Sequence, residues 1–180
     1  MTVAFEEDCL RHSFTIKTWI RYYEHKKDAT HDEKVFILHG AVKELPRSYK
    51  LWKLLLDLLV NRLLNGKAMN GQIQERNSQF PPNHREWQLV NSYFERCLVL
   101  CNKFPKIWFM YCNFLMHQPT RITFTRRTFD RALKSLPITQ HKSLWDLYLS
   151  FAVQAGGDTA IRIWRRFLKI QPTHGKCKLI

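Results

Sequence analysis

Two triads of cationic side chains stand at helical spacing in the last third of the sequence: Arg127, Arg131 and Lys134 in "RRTFDRALK", and Arg162, Arg166 and Lys169 in "IRIWRRFLK". Residues at i, i+4 and i+7 share one face of an α-helix, so each triad is a cationic stripe. Two stripes on stacked helices would form a ridge suited to a phosphate backbone or to an acidic protein segment. A solvated helix face has the same spacing, so these three readings stay open. No RNP-type aromatic pattern or glycine-rich loop lies nearby, and an RNA held there would be gripped by its backbone rather than read by its bases.

Other chemistry is poorly supplied. The five cysteines are Cys9, Cys97, Cys101, Cys112 and Cys177, an odd number with no C-x-x-C pair. Cys97 and Cys101 fall one helical turn apart, with Cys112 and His117 the nearest further donors, an arrangement unlike the paired spacings of zinc modules. They read as reduced core thiols. There is no G-x-S-x-G, P-loop or H-E-x-x-H pattern, and with acids scarce a catalytic carboxylate pair is not expected. No catalytic residue, metal site, cofactor or small-molecule substrate is expected. The terminal "CKLI" fits C-a-a-X prenylation poorly, because Lys178 occupies an aliphatic position.

The elements that position these residues follow from composition. The chain has 180 residues, 45% apolar and 13% aromatic, which is ample for a packed core. Six Gly, seven Pro and few alternating β-branched runs argue for an all-α protein. No apolar run approaches the ~18 residues of a membrane helix, and "MTVAFEEDC" carries acids where a signal peptide carries base. A soluble, intracellular chain with no membrane partner is the expectation. Residues 121–180 hold 12 basic and 3 acidic side chains, against 17 and 12 in residues 1–120. The resulting positive field attracts polyanions or acidic proteins without choosing between them.

A repeat organises the chain. Trp19, Trp52, Trp108 and Trp145 each open an apolar stripe, and the last two share W-x-x-Y-x-x-F through Tyr111 and Phe114, and Tyr148 and Phe151. The first keeps Tyr22, and the second substitutes Leu55 and Leu58. Each such helix is followed by a second that ends at a proline, at Pro46, Pro105, Pro137 and Pro172. The second helices place a large residue three ahead of another core position: Leu38 and Ala41, Phe94 and Cys97, Phe129 and Ala132, Trp164 and Phe167. These aromatic stripes could stack RNA bases, but their periodic recurrence marks a repeat core.

The tryptophan intervals of 33, 56 and 37 residues match helical-hairpin repeats, the long one holding an insertion at 65–84. An α-solenoid of antiparallel helical hairpins follows, with an N-terminal segment 1–14, repeats at 15–46, 48–105, 106–137 and 140–172, and a tail 173–180. Thr30-x-x-Glu33 and Asn83-x-x-Glu86 are helix-opening caps, and Gly156-Gly157 separates two helices.

The Trp-x-x-Tyr helix followed by "FERCL" or "FDRAL" and a proline resembles the HAT (half-a-TPR) repeat of RNA-processing proteins. The run from Cys101 to Phe151, with "LRHSFTIKTWIRYYEHK" and "VKELPRSYKLW", is similar more narrowly to the N-terminal part of SYF-type pre-mRNA splicing factors. That family is also described as XPA-binding and as related to the crooked-neck protein. The likeness covers about residues 6–172 outside the insertion, and its most specific stretch is 97–151. Family members are longer arrays, so the last helix pair here is expected to expose apolar surface. The acids of the second helices survive as Glu95 and Asp130, but His39 and Arg165 replace them in repeats one and four.

The resemblance implies a non-catalytic nuclear scaffold in splicing, with spliceosomal proteins of the nineteen complex or intron-binding complex as partners. It also implies a link to transcription-coupled repair. Direct RNA binding by the ridge is the alternative. A prenyltransferase α-subunit is a third all-helical possibility, but its Trp and Arg pattern differs.

Overall fold

The computed structural model describes residues 2–64 and 84–170, and every regular element among them is helical. The helices are α1 (Thr2–Arg11), α2 (Ile16–His25), α3 (His31–Glu44), α4 (Tyr49–Leu63), α5 (Arg85–Cys101), α6 (Pro105–Met116), α7 (Ile122–Ser135), α8 (His141–Ala155) and α9 (Gly157–Ile170). Short 3₁₀ turns at Pro119–Arg121 and Ile138–Gln140 precede α7 and α8. The insertion up to position 83, the Asn83 cap, Pro172, Cys177 and the tail lie outside the described residues. The chain divides into two compact units, residues 1–101 and 102–180.

In the first unit α1 packs on α2, α2 on α3, α3 on α4 and α4 on α5. Local chemistry sets the ends. Thr30 Oγ1 accepts from the Glu33 N–H at the start of α3, and Ser48 Oγ from the Leu51 N–H at the start of α4, satisfying donors that the first turn leaves over. At α5 the His84 Nδ1 accepts from the Glu86 N–H at 3.2 Å. The lead-in segment 1–14 contains a helix, α1, whose Phe5 packs against the cluster of Cys9, Tyr22 and Ile37. Arg62 on α4 pairs with Asp32 at the start of α3 at 2.9 Å, a carboxylate well placed for a helix N-terminus.

In the second unit α6 packs on α7, and α8 lies against α6, α7 and α9. Pro105 opens α6 instead of closing α5, because its fixed φ suits a first helical turn where its missing N–H costs nothing. Gly156 and Gly157 have φ of 65° and 53°, the left-handed geometry that lets α8 stop and α9 start within two residues.

Three of the four first helices are anchored by their tryptophan. The indole N–H donates to the carbonyl six residues earlier in the preceding turn: Trp19 to Ser13, Trp52 to Pro46 and Trp108 to Asn102, each at 2.8 Å. The bond lets a large ring enter the core without an orphaned donor. Trp145 departs from this pattern: its Nε1 is buried without a hydrogen-bond partner. The turn before α8 is wound into the 138–140 3₁₀ turn, and His141 Nε2 lies 2.9 Å from the Leu136 carbonyl.

That difference is measurable. Trp108→Phe and Trp145→Phe remove the same group from rings of equal burial, so Trp108→Phe should cost about 0.5–1.5 kcal/mol more. Urea unfolding of both variants reads the difference, and equal losses would show that the indole bond contributes nothing net.

Candidate functional site

Helices α3, α7 and α9 share one register, fixed by what lies over the first-helix tryptophan. A Cβ built on Gly40 would sit 3.5 Å from the Trp19 ring. The Arg131 guanidinium lies 5.6 Å from the Trp108 ring centre and that of Arg166 lies 5.8 Å from Trp145. Gly40, Arg131 and Arg166 are therefore equivalent. So are Leu38, Phe129 and Trp164; His39, Asp130 and Arg165; and Ala41, Ala132 and Phe167.

This register divides the six cations read as a ridge. Arg131 and Arg166 are packing residues, each a cation held over an indole face, an interaction of about 0.5–1 kcal/mol at exposed sites. Arg166 also ion-pairs with Asp130. Arg127, Lys134, Arg162 and Lys169 are exposed and make no ion pair with another described residue. Helical spacing could not separate the two groups, because it is the position of the tryptophan on the neighbouring helix that captures one cation of each triad.

Asp130 is the hub of a latch between helices. Its Oδ1 accepts from the Tyr148 hydroxyl at 3.2 Å, and the Tyr148 ring stacks on Phe129 at 4.5 Å and 6°. The first unit builds the same latch with α1: the Tyr22 hydroxyl donates to Glu6 Oε1 at 3.0 Å, and Tyr22 stacks on Phe5 at 6.0 Å and 8°. So α1 performs for α2 what α7 performs for α8, which no short motif in residues 1–14 announces. Burial and then the neighbouring carboxylate push the Tyr22 hydroxyl up to about 12, and burial followed by Asp130 pushes Tyr148 up as well. Where the acid is absent the tyrosine is too: His39 takes the acid's position on α3, and Leu55, fully buried, takes the tyrosine's on α4.

Of the residues assigned to the repeat core, Tyr22, Ala41, Trp52, Phe94, Cys97, Trp108, Tyr111, Phe129, Ala132, Trp145, Tyr148 and Phe167 are buried. Trp19 and Trp164 are half-buried. On α9 the inward position beside Phe167 belongs to Ile163, four residues earlier, and Trp164 meets Phe167 edge-on at 6.1 Å. Buried rings offer no face on which a base can stack. Cys97, Cys101 and Cys112 are buried thiols that desolvation holds in the neutral form, and no three metal-ligating side chains converge among the described residues. No helix among them is long and apolar enough to cross a membrane.

Comparison with known proteins places this arrangement. Residues 1–173 match the family model described as the pre-mRNA-splicing factor Syf1/CNRKL1 N-terminal HAT repeat. The chain is 45% identical to pre-mRNA-splicing factor syf1 of Aspergillus fumigatus over 96% of its length and 19% of that protein's. It is 40% identical to the Emericella nidulans protein of the same name (96% and 21%) and 42% identical to SYF1 of Homo sapiens (94% and 18%). The chain thus spans about a fifth of the length of these relatives.

The raised Tyr22 pKa makes the α1–α2 latch pH-dependent. A proton held more tightly when folded stabilises the fold fully below the ordinary tyrosine pKa of about 10, and that stabilisation is lost as pH rises from there through about 12. Alkaline absorbance titration should show a late tyrosinate component near pH 12 that Tyr22→Phe diminishes, leaving the contribution of Tyr148. An unchanged late component in that variant would mean that the latch does not hold the proton.

Proposed function

The chain belongs to the Syf1/CNRKL1 N-terminal HAT-repeat family of pre-mRNA-splicing factors, and on that premise we propose that it is a non-catalytic, nuclear scaffold in pre-mRNA splicing. Its hairpins hold proteins of a spliceosomal subcomplex, of the nineteen-complex or intron-binding type, and a role in transcription-coupled repair would run through the same contacts. The observation that carries this reading is how the polar chemistry is spent. Asp130, Glu6, Tyr148, Tyr22, Arg131 and Arg166 fasten helix to helix, and what remains for partners is surface. A stack of rigid hairpins recognises helices and extended segments through that surface.

A second reading is favoured by Arg127, Lys134, Arg162 and Lys169. They are exposed and unpaired in a unit whose described residues carry 12 basic and 3 acidic side chains. These four would hold an RNA backbone without base readout.

Affinity purification from nuclear extract with and without RNase separates the two. The scaffold reading expects splicing proteins to stay bound after RNase, and their complete loss would overturn it. The RNA reading expects the slope of log affinity against log salt to shrink by about one for each of the four cations replaced by alanine. A slope indifferent to all four replacements would remove it.

A further inference from the structure

Helices α1, α2 and α3 repeat the arrangement of α7, α8 and α9. In the later set Phe129 and Asp130 of α7 meet Tyr148 of α8. Arg166 of α9 then lies 5.8 Å from the centre of the Trp145 ring and ion-pairs with Asp130. The earlier set has Phe5 and Glu6 of α1 against Tyr22 of α2, with Trp19 in the place of Trp145. Its third helix departs, because Gly40 stands on α3 where α9 has Arg166. The guanidinium that joins an indole to a carboxylate in one set is missing from the other.

The room for it remains. A Cβ built on Gly40 would meet only Cη2 and Cζ3 of Trp19, both at 3.5 Å, so no other side chain has filled the position. Trp145, beneath its arginine, is 2% exposed, whereas Trp19 is half-buried. Glu6 is exposed, accepts from Tyr22 and makes no ion pair with another described residue. Phe36, one turn before Gly40 on the same face of α3, is 80% exposed and stands beside the notch.

Charge and shape select the occupant. Residues 1–10 hold three acids and no base, in a chain of net charge +14. That local field repels a phosphate backbone and draws in a cation. A planar guanidinium stacks on an indole and forks to a carboxylate, a combination that a compact ammonium does not match.

We propose that the notch formed by Trp19, Phe36, Gly40 and Glu6 is a seat for an arginine side chain presented by a partner protein. The guanidinium covers the indole and pairs with Glu6, as Arg166 does with Trp145 and Asp130, and Phe36 flanks its aliphatic stem. The inference rests on the scaffold reading above and names one side chain that the scaffold holds.

The seat is first filled from within the 180-residue chain. Gly40→Arg should unfold at higher urea than Gly40→Gln, both variants having lost the glycine, and Glu6→Gln should erase that difference. It is then filled from outside with N-acetyl-arginine methylamide, the Trp19 indole N–H being followed by NMR in isotope-labelled chain. The signal should move saturably, with at least about fivefold tighter binding than for the neutral citrulline derivative, the scale of a cation over an indole. Glu6→Gln and Gly40→Arg should each abolish the shift, with circular dichroism confirming that the variants are folded. Of the splicing proteins retained after RNase, at least one should be lost on Gly40→Arg and kept on Gly40→Gln.

Equal urea midpoints for the two Gly40 variants, or retention of every protein by both, would overturn the proposal. So would an equal response to the citrulline derivative or parallel movement of the Trp108 and Trp145 signals, which would mean an adventitious additive only. Self-association that Gly40→Arg abolishes would give the seat to a second copy and overturn it too. If the arginine probe fails while splicing proteins survive RNase, the seat falls and the scaffold reading stands. If the probe binds as expected but RNase strips every protein, the scaffold reading is the one that falls.

Discussion

A tryptophan on each first helix has to pack a bicyclic ring against the core, and on three of the four its one polar atom finds a turn carbonyl as well; much of the architecture follows from that ring. The indole N–H reaches back six residues to a turn carbonyl, which fixes how the chain enters the helix. The ring also fixes α3, α7 and α9, where Gly40, Arg131 and Arg166 lie against it. Once that residue is placed, the core position after it and the latch position before it are set as well. Helix propensity alone would not choose this register, since tertiary packing contributes most of the stability of helices this short.

Fastening between helices adds directional contacts to that packing. Asp130 serves α7, α8 and α9 together through Tyr148 and Arg166. A partly shielded carboxylate with two donors is stronger than an isolated surface pair, and removing one partner leaves the others uncompensated. Electrostatics in the second unit is thus of two kinds. Some cations are neutralised or covered within the fold, and the remainder produce the field outside it.

The Trp-x-x-Tyr spacing, the all-helical class and membership of the HAT family were legible in the residues, because periodicity and a rare aromatic type both survive in a one-dimensional reading. The capping role of Thr30 was legible for a similar reason, its partner being three residues away. Partners distant in sequence were not. Glu6 finds Tyr22 only after two helices fold together, so α1 looked like a plain lead-in. Arg131 and Arg166 looked like their neighbours in each stripe until the indoles beneath them were placed. Pro105 reads as the end of a second helix, and the structure makes it the beginning of α6, a choice that the proline alone does not settle. On α9 the large residue Trp164 drew attention that belonged to Ile163.

The latch between a second helix and the first helix after it means that the unit of cohesion does not coincide with the unit of sequence. A hairpin cut at its outer turns keeps its tryptophan packing but loses either the carboxylate ahead of it or the tyrosine behind it, as the α1–α2 and α7–α8 contacts show. A block running from one second helix through the next first helix keeps both halves. For anyone recombining such arrays, the exchangeable cassette is that offset block, with its seams placed inside hairpins, and duplication or loss of whole sequence repeats succeeds only where the two orphaned half-latches happen to match.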